Sequence, residues 1–128
     1  MREVEVRTAS GKFGQKIRIG PHELPADEGK DELGDDTGPA PHELLLAALG
    51  SCTSMTVKLY ADRKEWPLEG VHVVLNGRRE EDGFLIERTL RLTGSLSDEQ
   101  KARLVEIAEK CPVARTLKGT IRISTVLG

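Results

Sequence analysis

The chain has 128 residues and a formal net charge of −2, and it is 38% hydrophobic, 31% charged and 3% aromatic. This length is enough for one domain with an apolar core, predicted to span residues 1–128, and the scarcity of aromatic residues requires an aliphatic core. The slightly acidic balance, without a cluster of Lys and Arg, argues against nucleic acid or a membrane surface as a partner. Because the first residues carry no apolar signal segment, we expect a cytoplasmic protein.

The N-terminal region predicts a hairpin followed by a long loop. Apolar residues alternate with charged ones at Val4 and Val6 and again at residues 17–19. This alternation predicts two antiparallel strands. Residues 20–38 are polar and rich in turn-forming residues, and their apolar residues follow neither the helical nor the strand period. They predict a loop of the kind that often carries function or covers a partner, although a plain solvated connection fits equally well.

A long apolar stretch at residues 39–66 predicts the main helix. Pro41 suits a first helical position, and Pro67 ends the pattern. The first half is apolar on nearly all sides, which predicts a helix that is buried at its start and reaches the surface only from Lys58 onward. Gly50 in a helix interior costs about 1 kcal/mol relative to Ala, so we expect another element to approach the helix closely there.

The second half of the chain predicts a hairpin, a helix and a last strand. Residues 71–75 and 84–92 form two alternating runs with turn chemistry between them. Ser97 begins a capping-box signature for a helix that ends or kinks at Pro112. Residues 121–125 alternate again and predict a terminal strand. The order ββ-α-ββ-α-β is that of an α+β fold with mostly antiparallel pairing.

The two cysteines, Cys52 and Cys111, are the main candidates for a functional role. A structural disulfide is the less expected use of cysteines in a reducing compartment. Cys52 shares a helix face with apolar residues, which disfavours its thiolate unless a cation lies nearby. Cys111 is close in sequence to Arg115 and Lys118, and both thiols fit equally well as small buried hydrophobic groups. The three histidines lack metal-ligand spacing, so no metal site is expected.

His42 and Glu43 open the long helix. A glutamate in the first turn complements the helix dipole, and a surface histidine needs no function. Ten residues of straight helix, about 15 Å, separate His42 from Cys52. If either opening residue acts with Cys52, it does so across a dimer interface.

Three segments resemble one protein family. They are residues 38–52 (GPAPHELLLAALGSC), 111–113 (CPV) and 119–123 (GTIRI). They are similar to the OsmC/Ohr family of osmotically inducible and organic hydroperoxide resistance proteins, and most closely to its OsmC-like branch. The resemblance covers nearly the whole chain. It implies an OsmC-like fold with long central helices in an intertwined homodimer and active sites at the dimer interface.

The resemblance also implies an activity. Family members are cofactor-independent cysteine peroxidases that reduce organic hydroperoxides to alcohols in oxidative-stress defence. Cys52 matches the peroxidatic cysteine, which becomes a sulfenic acid, and Cys111 the resolving one, which condenses with it to a disulfide. A dithiol reductant, in this family a lipoylated protein, then restores both thiols. The alternative is a small-molecule-binding or structural dimer module with this fold and little or no peroxidase activity.

Two departures from the Ohr pattern bear on this choice. An acidic residue there follows the proline of the helix-opening motif directly, whereas here His42 holds that place and Glu43 comes one position later, about 100° around the helix. The family also uses an arginine of the N-terminal region to activate the thiolate, and Arg18 and Arg7 are the candidates here. Arg18 also fits a solvent-facing strand position. The departures favour the binding-module alternative, and the intact cysteine pair favours the peroxidase.

Overall fold

The computed structural model describes all residues from Met1 to Gly128, which form two compact units, Met1–Leu45 and Leu46–Gly128. Antiparallel sheets and three helices confirm the α+β class. The strands are β1 (Val4–Thr8), β2 (Gln15–Ile19), β3 (His22–Ala26), β4 (Leu68–Glu80) and β5 (Gly83–Gly94); the helices are α1 (Pro41–Arg63), α2 (Asp98–Ala108) and α3 (Pro112–Lys118).

The first unit contains a three-stranded antiparallel sheet in the order β1-β2-β3. The predicted hairpin is confirmed, with Val6 opposite Ile17. The prediction of a loop without structure at residues 20–38 is wrong, because β3 returns from a tight turn at Gly20 and a 3₁₀ turn follows at Lys30–Glu32. Gly20 has a φ of +58°, the left-handed conformation that glycine adopts without steric cost. Most of β3 is exposed, so burial imposes no alternation that would reveal the strand in the sequence.

The rest of that segment is organised around a buried carboxylate, Asp27, which is 2% exposed. It accepts hydrogen bonds from the Glu28 amide at 2.7 Å, from the Thr37 amide at 3.2 Å and from the Thr37 hydroxyl at 2.6 Å. The hydrogen bond from the Thr37 hydroxyl, followed by that from the Glu28 amide, holds the pKa of Asp27 below its usual value although burial opposes this shift. The ionised side chain of Asp27 therefore ties the beginning of this segment to Thr37 near its end.

Helix α1 begins at Pro41, as predicted, and ends at Arg63. Glu43 Oε1 accepts a hydrogen bond from the Ala40 amide at 2.8 Å, which satisfies a donor just ahead of the helix. By length and composition α1 could cross a membrane, a test that the core helix of a soluble protein also passes.

One face of α1 is apolar and exposed. Leu45, Met55 and Leu59 are 37%, 70% and 51% exposed. Only 28% of the apolar 18-residue window of the helix is buried. The prediction that the first half of the helix is buried on most sides is therefore wrong for a single chain.

The second unit packs helices against the antiparallel hairpin of β4 and β5. The predicted hairpin is confirmed, and its turn lies between Glu80 and Gly83. Leu75 of β4 fills the space beside Gly50, where an added Cβ would lie 2.7 Å from Leu75 Cδ1. This confirms the close approach predicted for Gly50. The main core of the unit is formed by Val57, Ala61, Leu68, Leu104 and Ala108.

The C-terminal region differs from the prediction at its end. The capping box of Ser97 is confirmed at the start of α2. That helix ends ahead of Pro112, which instead begins α3, an element that the sequence did not predict. The predicted strand at residues 121–125 is not formed in the single chain, and Ile123 is 88% exposed. A strand needs a hydrogen-bonding neighbour, and this segment has none within its own chain.

Candidate active site

The two thiols lie together where α1 packs against the start of α3. Cys52 on α1 is half-buried, and Cys111, the residue before α3, has no exposed surface. Both are free thiols and belong to one apolar cluster with the buried residues Leu49 and Ala114. Cys52 packs against the buried residues of this cluster, Cys111 among them. The structure therefore brings together the two cysteines that the family resemblance paired.

Cys52 receives a hydrogen bond from the main chain. The Val113 amide donates to Cys52 Sγ at 3.5 Å. The first amides of a helix have no intrahelical acceptor, and Pro112, at the first position of α3, has no amide proton at all. The amide of Val113 is thus free to bind the sulfur, and this hydrogen bond fixes the position of Cys52 Sγ against the start of α3.

A buried arginine, Arg88 on β5, lies beside Cys111. Only 11% of its side chain is exposed. Its Nη1 atom donates to Thr53 Oγ1 at 2.8 Å and to Cys111 Sγ at 3.8 Å. Its Nη2 atom donates to Glu109 Oε1 at 3.2 Å. The guanidinium is therefore held by the Thr53 hydroxyl and the Glu109 carboxylate. In this position it also contacts the sulfur of Cys111.

The environment of Cys111 stabilises its thiolate. Burial raises the pKa of the Cys111 thiol. The amide of Ala114 and the hydroxyl of Thr53 act in the opposite direction, and the contacts from Cys52 and Arg88 add to their effect. Together these groups outweigh burial and place the pKa of Cys111 below that of an ordinary thiol.

Glu109 links Arg88 to the surface. Its second oxygen, Oε2, accepts a hydrogen bond from Lys118 Nζ at 2.9 Å. The hydrogen bond from Lys118 holds the pKa of Glu109 below its usual value, with a smaller contribution from Arg88, although burial opposes it. The carboxylate therefore stays ionised at neutral pH and keeps the guanidinium in place.

A cavity of about 420 Å³ lies between β5 and α3. Arg88, Glu109 and Lys118 supply its polar rim. Neither cysteine lines this cavity, so it is separate from the exposed side of Cys52. Its apolar walls are formed by Leu49, Phe84, Leu85, Ile86, Ala114 and Leu117.

The other predicted site residues, Arg18 and Glu43, lie in the unit Met1–Leu45, where each has a local partner. Arg18 Nη2 forms an ion pair with Glu5 at 2.8 Å, and Glu43 binds the Ala40 amide. Their roles in activating Cys52 stay predictions. No group of three or more His, Cys, Asp or Glu side chains could hold a metal ion.

Arg88 and Thr53 are the site residues that sequence reasoning missed. A signal for Arg88 is present in the sequence, because it alternates with Ile86 and Leu90 on the inward face of β5. An arginine at a position that the two-residue period assigns to the core is rare unless it is paired. Thr53 offers no such signal, because a threonine in an apolar helix is also typical of plain packing.

Comparison with known proteins places the fold. Residues 34–126 match the family model of the OsmC-like protein. A search of curated proteins found no significant match. An OsmC-like protein from Mycoplasma pneumoniae has a TM-score of 0.78 at 18% identity, with 93% of this chain and 88% of that one covered. The organic hydroperoxide resistance protein OhrB of Bacillus subtilis has a TM-score of 0.64 at 21% identity, with 93% and 91% covered. An organic hydroperoxide resistance protein from Legionella pneumophila has a TM-score of 0.69 at 17% identity, with 93% and 90% covered.

Proposed function

Because the chain belongs to the OsmC-like protein family, we propose that it is a homodimeric, cofactor-independent thiol peroxidase that reduces organic hydroperoxides to alcohols in the cytoplasm. The observation that carries the proposal is the packing of two free thiols in one apolar cluster, one half-buried and one fully buried beside a guanidinium. The names of the Bacillus subtilis and Legionella pneumophila structures support the same class of substrate.

The oxidative step takes place at Cys52, because Cys111 has no exposed surface. The Cys52 thiolate attacks the terminal oxygen of the hydroperoxide, the one that carries the hydrogen, and the O–O bond breaks. The alkoxide leaves and takes up a proton to become the alcohol, while Cys52 becomes a sulfenic acid. The Val113 amide, 3.5 Å from Cys52 Sγ, holds the attacking sulfur in position for this step. The aliphatic surroundings of Cys52 suit an alkyl group of the peroxide.

The resolving step is carried out by Cys111. Its thiolate attacks the Cys52 sulfur, the S–O bond breaks, and hydroxide leaves and takes up a proton to become water. The lowered pKa of Cys111 supports this role, because the thiolate rather than the thiol is the nucleophile. A dithiol reductant, such as a lipoylated protein, then reduces the disulfide.

A second copy of the chain completes the proposed enzyme. The apolar face of α1 around Met55 and the exposed Val4, Val6 and Leu24 of the three-stranded sheet would otherwise remain in water. In this arrangement Arg18 and Glu43 act on Cys52 across the interface, with Arg18 activating the thiolate and Glu43 orienting the arginine. The exposed apolar surfaces of the single chain support this part of the proposal.

The test is the consumption of cumene or tert-butyl hydroperoxide in the presence of dihydrolipoamide. We expect near-complete loss of turnover in Cys52→Ser. In Cys111→Ser we expect the Cys52 sulfenic acid to form but no intramolecular disulfide to follow, as measured by mass spectrometry. An unchanged rate in Cys52→Ser would overturn the peroxidase proposal.

The cavity beside α3 favours one alternative, a small-molecule-binding module without peroxidase activity. An apolar space of about 420 Å³ with a polar rim is of a size that holds a small ligand. On this alternative the protein binds an apolar fluorescent probe, while wild type and Cys52→Ser consume hydroperoxide equally slowly. Hydroperoxide consumption that depends on Cys52 would exclude small-molecule binding as the main function.

A further inference from the structure

Arg88 lies beside Cys111, the sulfur that is released when the Cys52–Cys111 disulfide is attacked at Cys52. We infer that, when a dithiol reductant reduces this disulfide, Arg88 stabilises the departing Cys111 thiolate and so speeds the opening of the disulfide. The inference rests on the proposed function, because it assigns a role within the reductive half of that cycle. It is carried by the 3.8 Å contact from Arg88 Nη1 to Cys111 Sγ and by the groups that fix the guanidinium there.

Access decides which sulfur the reductant attacks. Cys111 has no exposed surface within a single chain, and association with a second copy can only cover more surface. Cys52 is half-buried and is the sulfur that an external thiolate can contact. Attack there forms a mixed disulfide between the reductant and Cys52, the S–S bond breaks, and its electron pair passes to Cys111 Sγ. The second thiolate of the reductant then attacks the reductant's own sulfur and releases Cys52.

Charge decides how readily Cys111 leaves. Thiol–disulfide exchange is faster when the departing thiol has a lower pKa, because its thiolate is more stable. The charged and titratable groups around Cys111 come from every neighbouring element: Cys52 from α1, Arg88 from β5, Glu109 after α2 and Lys118 from α3. Of the two cations, Lys118 is bound to Glu109, and only Arg88 also reaches the sulfur.

An arginine suits this position better than a lysine. One guanidinium nitrogen binds Thr53 and Cys111, and the other binds Glu109. The planar fork of an arginine allows these contacts at once, whereas an ammonium group is a single point of charge. The geometry thus fixes a positive charge beside the departing sulfur.

The first test measures the ionisation of Cys111 alone. In a Cys52→Ser background, the ultraviolet absorbance of the thiolate is titrated against pH with and without a change at Arg88. Arg88→Gln keeps a donor for Thr53 but removes the charge, and we expect it to raise the titration midpoint by about one pKa unit. Arg88→Lys should raise the midpoint less. Arg91→Gln, on the exposed face of the same strand, is the matched control and should leave the midpoint unchanged.

The second test measures the opening of the disulfide. The Cys52–Cys111 disulfide is formed with diamide in proteins that keep both cysteines and is then reduced with dihydrolipoamide. We expect the rate to fall about threefold in Arg88→Gln, in proportion to the higher pKa of the leaving thiol. Arg91→Gln should keep the wild-type rate. Neither readout uses a hydroperoxide, so failure of the proposed function and failure of this inference are distinguishable.

A folded Arg88→Gln protein with the wild-type midpoint and the wild-type rate of reduction would overturn the inference. The fold of each variant is checked by circular dichroism and thermal melting. If Arg88→Gln does not fold, Arg88→Met, which suits the apolar surroundings of β5, carries the same two measurements with the same expected shifts. Recovery of the wild-type midpoint by either neutral variant would show that Arg88 only supports the packing.

Discussion

Arg88 Nη1 lies 2.8 Å from Thr53 Oγ1, and this hydrogen bond joins the hairpin of β4 and β5 to helix α1. Thr53 is completely buried, and its hydroxyl also donates to the Leu49 carbonyl at 2.7 Å. A hydroxyl group can donate and accept at once, so it satisfies the guanidinium without leaving its own proton unpaired. No buried side-chain nitrogen or oxygen lacks a hydrogen-bond partner. Thr53 therefore links the stability of the second unit to the position of Arg88.

Replacement of Thr53 by valine tests this link. Thr53→Val keeps the shape of the side chain but leaves Arg88 without its buried acceptor. We expect the free energy of unfolding to fall by about 1–3 kcal/mol, as measured by urea denaturation under reducing conditions. Thr89→Val, on the exposed face of β5, should change it by less than about 0.5 kcal/mol. Equal stabilities of the two variants would show that the hydrogen bond adds nothing.

The core of the second unit depends on Leu104. This residue is completely buried in the cluster that includes Val57 and Leu68. Leu104→Ala removes apolar contacts and leaves a cavity, so we expect a loss of about 2–5 kcal/mol in the free energy of unfolding. Val105→Ala is the matched control, because Val105 is the next residue of α2 and is 51% exposed. If both variants lose the same stability, the assignment of Leu104 to the core is wrong.

Asp27 makes the stability of the first unit depend on pH. Its folded-state pKa is lowered, chiefly by the Thr37 hydroxyl. A carboxyl group whose pKa is lowered by folding stabilises the protein above its unfolded pKa, and this contribution is lost as the pH falls through the folded pKa. We therefore expect Asp27→Asn to melt below wild type at neutral pH and the difference to shrink at acidic pH. Asp31→Asn, on an exposed position of the same segment, is the control, and a constant difference across the pH range would contradict the prediction.

Elements with local signals were predictable from the sequence. The β4-β5 hairpin follows from alternating apolar residues, the start of α1 from Pro41, and the start of α2 from the capping box of Ser97. In each case the physical cause acts over a few residues. The strand β3 carries no such signal, because it is held by pairing with β2 while most of its side chains face solvent.

The site was predictable only in part for the same reason. The pairing of Cys52 with Cys111 came from resemblance to a family, and the structure places the two thiols in one packed cluster. The cation beside Cys111 is Arg88, a residue far from both cysteines in sequence, and sequence reasoning missed it. The proposed action of Arg18 or Arg7 on Cys52 stays a prediction. Contacts between distant elements depend on how strands and helices pack, and periodicity does not record them. The one sequence signal for Arg88 is that it is a charged residue at a core position of β5.

The exposed apolar face of α1 predicts how the chain associates. Met55 is 70% exposed and Leu59 is 51% exposed on the helix that also carries Cys52. A glutamate at Met55 would place an unpaired charge inside the proposed interface, and the cost of removing it from water opposes dimer formation. We expect wild type to sediment as a dimer and Met55→Glu to sediment as a monomer. Val105→Glu, an equally charged change at an exposed position of α2, should leave the dimer intact.

Since the proposed roles of Arg18 and Glu43 require a second copy, Met55→Glu should also lose hydroperoxide consumption while keeping both cysteines. A Met55→Glu protein that is still dimeric would place the interface elsewhere, and a fully active monomer would confine the catalytic groups to a single chain.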